Sequence, residues 1–150
     1  MSVGKNASNF KEIRQYIAFT IGSEKYGLDL MEIDSIERLS PITRVPKSKD
    51  FVLGVINLRG NIIPVIDTRK IIGFPPKTHD EQTRIIIAKY EDCSIGILVD
   101  NVINILEVAE DQIQGRDEVF EDKSQELVAG LIKIESEIVL ILDLQKILSL

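Results

Sequence analysis

The sequence predicts a mainly β protein: two related five-stranded barrels packed together around a pseudo-twofold axis, with short helical turns. Three observations carry that reading. Ile and Val number 25 and 11 among 150 residues, and β-branched aliphatics suit a pleated, half-buried surface better than a helix. The chain repeats itself in two halves. Its apolar runs are short and broken by turn residues, as in small barrels, where closure removes exposed sheet edges.

The repeat has two registers. Residues 16–39 overlie 85–108 at an offset of 69, which matches Tyr26 with Ile95, Gly27 with Gly96, Leu28 with Ile97, Ile33 with Val102 and Ile36 with Ile105. Residues 54–72 overlie 130–148 at an offset of 76, which matches Gly54 with Gly130, Ile56 with Ile132, Ile62 with Ile138, Asp67 with Asp143 and Lys70 with Lys146. Shared apolar spacing could arise between any two β segments. Matching Gly, Asp and Lys in order points to duplication.

In the first half, strands are expected at 16–21, 26–30, 35–39, 52–58 and 62–67, with hairpin loops at 22–25 and 59–61. Gly60 offers the positive φ such loops need. The second half gives strands at 84–90, 95–100, 103–108, 128–134 and 138–143. Residues 68–72 and 144–148 read as single helical turns, N-capped by Asp67 and Asp143. The chain thus reads as one domain over 1–150. Subdomain one covers about 16–73 and subdomain two about 84–150, joined by a Pro-rich seam at 74–83, with a flexible tail at 1–15. Two barrels this small should share an apolar interface, and Leu28, Ile56, Ile97 and Ile132 should be buried.

Composition excludes several classes. A net charge of −6 and a pI near 4.9 argue against nucleic-acid binding. Aliphatic runs of about five residues fall far short of the roughly 20 needed to cross a bilayer, so direct membrane insertion is not expected. No apolar stretch resembling a signal peptide opens the chain, and the single Cys93 makes no internal disulfide, so the expected compartment is cytoplasmic. No phosphate-binding loop, dinucleotide fingerprint or metal-ligand cluster appears, and neither cofactor nor metal is expected. Charge is also unevenly placed. Residues 38–49 carry Arg38, Arg44, Lys47 and Lys49 with no acid, whereas 107–126 hold eight acids against Arg116 and Lys123. Such loops either keep the protein soluble or let opposite charges meet head to tail.

A matched aspartate from each half raises an enzymatic alternative, an aspartate-dependent hydrolase using Asp67 and Asp143. That chemistry calls for Asp-Thr-Gly or Asp-Ser-Gly. Here the chain has Asp67-Thr68-Arg69 and Asp143-Leu144-Gln145, without the glycine that permits the tight catalytic loop. Helix capping is the simpler account. A second candidate is the hairpin Gly54-Val55-Ile56-Asn57-Leu58-Arg59-Gly60, whose tip presents a guanidinium where the second half has Glu135. A structural role would tolerate either charge, so the reversal points to a partner for Arg59.

That hairpin, continued by Asn61-Ile62-Ile63-Pro64-Val65-Ile66-Asp67, resembles the signature of the bacterial chemotaxis coupling protein family, CheW. The likeness extends from about Tyr16 to Leu148 and includes Tyr26-Gly27-Leu28-Asp29, Arg44-Val45-Pro46 and Ile95-Gly96-Ile97-Leu98-Val99-Asp100. Thr68-Arg69 departs from the more usual Leu-Arg. The resemblance implies SH3-like barrels and a non-enzymatic adaptor that joins methyl-accepting chemoreceptors to the histidine kinase CheA. The implied partners are the kinase regulatory domain, the receptor's cytoplasmic tips and further CheW copies in rings, gathered at the inner face of the membrane. Carried onto this sequence, the receptor-binding groove comprises Ile33, Gly54, Arg59, Gly96, Val102 and Ile105. The kinase contacts are not assigned to residues.

Overall fold

The computed structural model describes residues 12–120 and 126–150. Its first half holds β1 (Ile13–Ile21), β2 (Glu24–Asp29), a 3-10 turn (Leu30–Glu32), β3 (Ile33–Arg38), β4 (Val52–Leu58), β5 (Asn61–Ile66) and α1 (Thr68–Ile72). The second half holds β6 (Arg84–Tyr90), β7 (Cys93–Val99), β8 (Asn101–Ala109), a 3-10 turn (Glu110–Gln112) and β9 (Ile113–Gly115). It continues with α2 (Arg116–Val119), β10 (Val128–Ile134), β11 (Glu137–Leu142) and α3 (Leu144–Leu148). All ten strands expected from the sequence are present, four residues of the tail at 12–15 belong to the ordered chain, and β1 starts at Ile13. The rest of that tail, 1–11, lies outside the described residues.

The strands form two curled sheets, ordered β8-β1-β2-β11-β10-β9 and β3-β6-β7-β5-β4. Neither sheet is built from one half of the sequence. The first takes β1 and β2 from the first half and the rest from the second; the second sheet takes β3, β4 and β5 from the first half, with β6 and β7. The subdomain boundaries at 73 and 84 therefore do not separate the sheets, and the Pro-rich seam at 74–83 joins β5 and β6 within one sheet. The chain instead crosses between sheets after β2 and after β7. The exchange obeys the repeat: β11 runs parallel to β2 with Ile141 beside Gly27, and β5 runs parallel to β7 with Val65 beside Gly96. Gly27 matches Gly96 and Val65 matches Ile141 in the two registers, so both junctions are the same contact made twice. Sequence pattern shows which residues face inward but not which half supplies the neighbouring strand.

Three apolar cores follow. Ile56, Ile63, Val65, Ile85 and Ile87 fill the second sheet's interior, and Tyr16, Val108, Ile132, Val139 and Ile141 fill the first's. The third lies between the sheets and takes Ile17, Phe19, Tyr26 and Leu28 from one, Ile86, Ile95, Ile97 and Val99 from the other, and Leu144 and Ile147 from α3. Leu28, Ile56, Ile97 and Ile132 are at most 2% exposed, as expected.

The helical turns end as the sequence predicts. Asp67 accepts from the Lys70 N–H at 3.3 Å, and Asp143 from the Lys146 N–H at 3.1 Å. The acid-rich segment after β8 is not a bare loop, because β9 pairs with β10 and Ile113 packs against the first sheet's core. Its residues 121–125 lie outside the described ones.

Candidate functional site

The two crossovers deliver equivalent residues to one place. Ile33 follows the first crossover and opens β3, and Val102 follows the second near the start of β8. Both are half-buried and pack against the core between the sheets. Beyond them the matched pair Ile36 and Ile105 stays open to solvent, at 39% and 51% exposure. β3 and β8 are each the terminal strand of their sheet, so their outer faces flank the seam instead of lying in a barrel interior.

Arg59 sits at a hairpin tip. Leu58 pairs with Asn61, leaving a two-residue loop with φ of 53° at Arg59 and 86° at Gly60. Positive φ at both central residues gives the turn whose twist matches the flanking strands. The Gly60 N–H donates to Asn57 Oδ1 at 3.0 Å and closes it. The Arg59 side chain is 72% exposed and lies 3.6 Å from Glu37 of β3. Because β3 and β4 are opposite edges of the five-stranded sheet, this ion pair spans the gap across which the sheet curls.

Gly54 and Gly96 have a different character. A Cβ on Gly54 would stand 2.2 Å from the Thr43 carbonyl oxygen, and one on its match Gly130 would stand 2.4 Å from that of Gln114. The same close approach of a returning segment occurs in both halves, fastened at Thr43 by paired hydrogen bonds with Val55 of 2.8 Å. A Cβ on Gly96 would meet Ile85 at 2.9 Å and Val65 at 3.2 Å. Both glycines are buried, and the space around them is filled by backbone or core side chains. The structure thus brings Ile33 and Val102 to one core and ties Arg59 to β3, while Gly54 and Gly96 shape the second sheet from within.

Asp67 and Asp143 each spend a carboxylate oxygen on a helix cap. Among the described residues, no group of three or more His, Cys, Asp and Glu is placed to hold a metal ion. No helix among them is long and apolar enough to cross a membrane. Reading by sequence missed the Arg69–Asp100 ion pair, which joins α1 to the second crossover. The parallel pairing of β5 with β7 sets the residues that follow the two strands at the same end of the sheet, and only that pairing signals the contact.

A duplicated chain, two sheets that exchange strands and an apolar seam between them define a double-sheet β protein. The chain belongs to the CheW family: the family model for the CheW-like domain matches residues 15–150. The chemotaxis protein CheW of Thermotoga maritima is 38% identical over 136 residues, covering 89% of this chain and 87% of that protein. CheW of Klebsiella aerogenes is 32% identical over 136 residues, covering 91% and 82%. A crystal structure of the scaffolding protein CheW from Thermoanaerobacter tengcongensis superposes with a TM-score of 0.81 at 30% identity, covering 89% of this chain and 90% of that one.

Proposed function

We propose that this protein is a non-enzymatic adaptor that couples chemoreceptors to the histidine kinase CheA. It works through protein contacts at the inner face of the membrane, to which receptor arrays recruit it. The observation that carries this reading is the seam: Ile33 and Val102, equivalent under duplication, both reach the shared core, and exposed Ile36 and Ile105 extend the apolar surface on either side. A receptor's helical tip laid along it would bury apolar area on both sheets at once, as helix-in-groove recognition requires. Arg59 would supply a charge-assisted hydrogen bond at one end. Gly54 and Gly96 would contribute through the backbone they shape. The kinase regulatory domain and further copies of this chain would meet other surfaces.

The test is a pull-down from bacterial lysate with the tagged protein, followed by binding of purified receptor cytoplasmic fragment and kinase. Recovery of both, with receptor binding lost in Val102→Asp, supports coupling. Peptide hydrolysis by the purified protein, abolished by Asp67→Asn, would replace it with the hydrolase reading.

A further inference from the structure

Asp100 stands where the chain leaves β7 of one sheet and enters β8 of the other. Its N–H donates to the Thr20 carbonyl at 3.0 Å, and its carboxylate accepts from the Gly22 N–H at 2.8 Å, so it is pinned to the β1–β2 hairpin. The same carboxylate receives both arms of a guanidinium fork: Arg69 Nε to Oδ1 at 3.1 Å, and Nη2 to Oδ2 at 2.6 Å. Arg69 belongs to α1, which follows β5 in the same sheet as β7, and its Nη1 donates to the Pro75 carbonyl at 2.6 Å. The Phe74 ring lies 5.9 Å from the guanidinium and presses on Gly22, where a Cβ would come within 2.6 Å of the ring. Hairpin, crossover, helix and connector therefore meet at one bidentate pair.

This pair is more deeply buried on both sides than two ion pairs nearer the surface. Its side chains are 16% and 15% exposed, whereas Lys25–Glu137 and Lys70–Asp50 are 38–80% exposed. It is also absent from the other half, because the repeat places Gln145 at the position of Arg69 and Met31 at that of Asp100. At the first crossover Asp29 makes a local cap, accepting from the Met31 N–H at 2.9 Å.

We propose that Arg69 is a positioning residue for receptor recognition: through Asp100 it locks the second crossover and sets how the two sheets face each other across the seam. The proposal rests on the receptor-coupling reading above. Asp100 precedes Val102 by two residues and Ile105 by five, so the strut fixes the strand that carries half of the seam. Arg69 itself bonds Asp100 and Pro75 and lies over Phe74, none of them a seam residue. A neutral side chain at 69 leaves each sheet's ladder intact and removes the fork by which α1 of the five-stranded sheet holds Asp100, itself pinned to the β1–β2 hairpin of the other sheet.

The experiment uses the full chain with nitroxide labels on exposed Cys93, at the β6–β7 tip, and on Ser136→Cys, at the β10–β11 tip. These tips belong to different sheets. The inter-label distance distribution is measured for Arg69→Gln, Arg69→Lys and the near-isosteric Asp100→Asn, beside binding to a purified receptor cytoplasmic fragment and to the kinase regulatory domain. The expected result is a distribution that broadens or shifts in Arg69→Gln and Asp100→Asn, with Arg69→Lys between them and the parent. Receptor binding falls at least tenfold while kinase binding stays within twofold. An unchanged distribution overturns the proposal, as does an equal loss of both partners. If the parent binds no receptor fragment, the coupling reading fails, and the distance distributions still decide whether the strut sets the sheet geometry.

Discussion

The two crossovers are made from equivalent stretches of a duplicated sequence, yet they are held differently. After β2 the chain turns through a 3-10 turn capped locally by Asp29. After β7 it passes directly into β8 through Asp100, clamped by Arg69 of α1, which follows β5, the neighbour of β7 in its own sheet. Duplication preserved the apolar positions that build the sheets, and it let the polar residues between them diverge. The difference shows where the fold is shared and where it was free to specialise. Backbone exchange and core packing must work in both halves, whereas a side-chain tie need exist in only one.

The largest effects test the shared part. Leu28 and Ile97 are repeat partners, each 0% exposed in the core between the sheets, so Leu28→Ala and Ile97→Ala should each cost about 2–5 kcal/mol. Chemical denaturation gives the magnitudes, and hydrogen exchange gives the extent. Both variants should loosen both sheets, whereas Ile132→Ala, at similar cost, should loosen the first sheet before the second. Confinement of the Leu28→Ala effect to one sheet would break the picture of a common core.

The strut comes next. Arg69→Gln should destabilise by about 1.5–3 kcal/mol, the range for hydrogen bonds to charged groups, below a fully buried pair because solvent reaches its rim. Gln145→Ala, at the matched position, should change stability by less than about 0.5 kcal/mol. Equal losses at the two sites would show that the asymmetry is only apparent.

Acid should separate the crossovers by sign. Burial pushes the Asp100 carboxyl upward, but the Arg69 fork, the Gly22 N–H and the nearby positive charge outweigh it and hold it below its ordinary value of 3.8. Its contribution is present above that value and is lost as pH falls through the lowered one. Glu32, at the other crossover, is pushed above its ordinary 4.5 by burial first, and then by Asp29 and Asp143. Its contribution is present below 4.5 and is lost as pH rises through the raised value. In urea titrations across this range, Asp100→Asn should remove the stability loss at the acid end. Glu32→Gln should remove the loss on the way up toward neutral pH. A variant that leaves its limb of the profile unchanged identifies the wrong group.

The two hairpin tips give the comparison with the smallest effect on folding. Arg59 and Glu135 occupy matched turns with φ of 53° and 54°, so removing either side chain should leave stability within about ±0.5 kcal/mol. Receptor-fragment binding should fall by about 1.5–3 kcal/mol in Arg59→Ala and be unaffected in Glu135→Ala. Arg59→Lys should recover little if the contact is bidentate, since an ammonium lacks the planar fork. A marked drop in melting temperature for Arg59→Ala would make its 3.6 Å pair with Glu37 a structural tie across the sheet edges.

Much of this was legible in the chain. The ten principal strands, both capped turns, the burial of Leu28, Ile56, Ile97 and Ile132, and the tip position of Arg59 follow from local patterns: alternation, turn residues and the repeat. Strand β9 was not legible, because three residues in an acid-rich segment carry little local preference and pair with β10 only once the sheet curls. Gly54 illustrates the middle case. Its match with Gly130 marked it as special, but the reason, a carbonyl where a Cβ would sit, belongs to the assembled sheet.

By itself the sequence determined the class of fold, the duplication and the residues that must face inward, since these depend on side-chain chemistry at fixed spacing. Tertiary structure alone decided that the halves exchange strands, that the Pro-rich segment stays within one sheet, and that Arg69 meets Asp100. The physical reason is that a strand's inward and outward faces are set by its own residues, while its neighbour is chosen by whichever edge completes the hydrogen-bond ladder and the common core. That choice depends on every other strand at once.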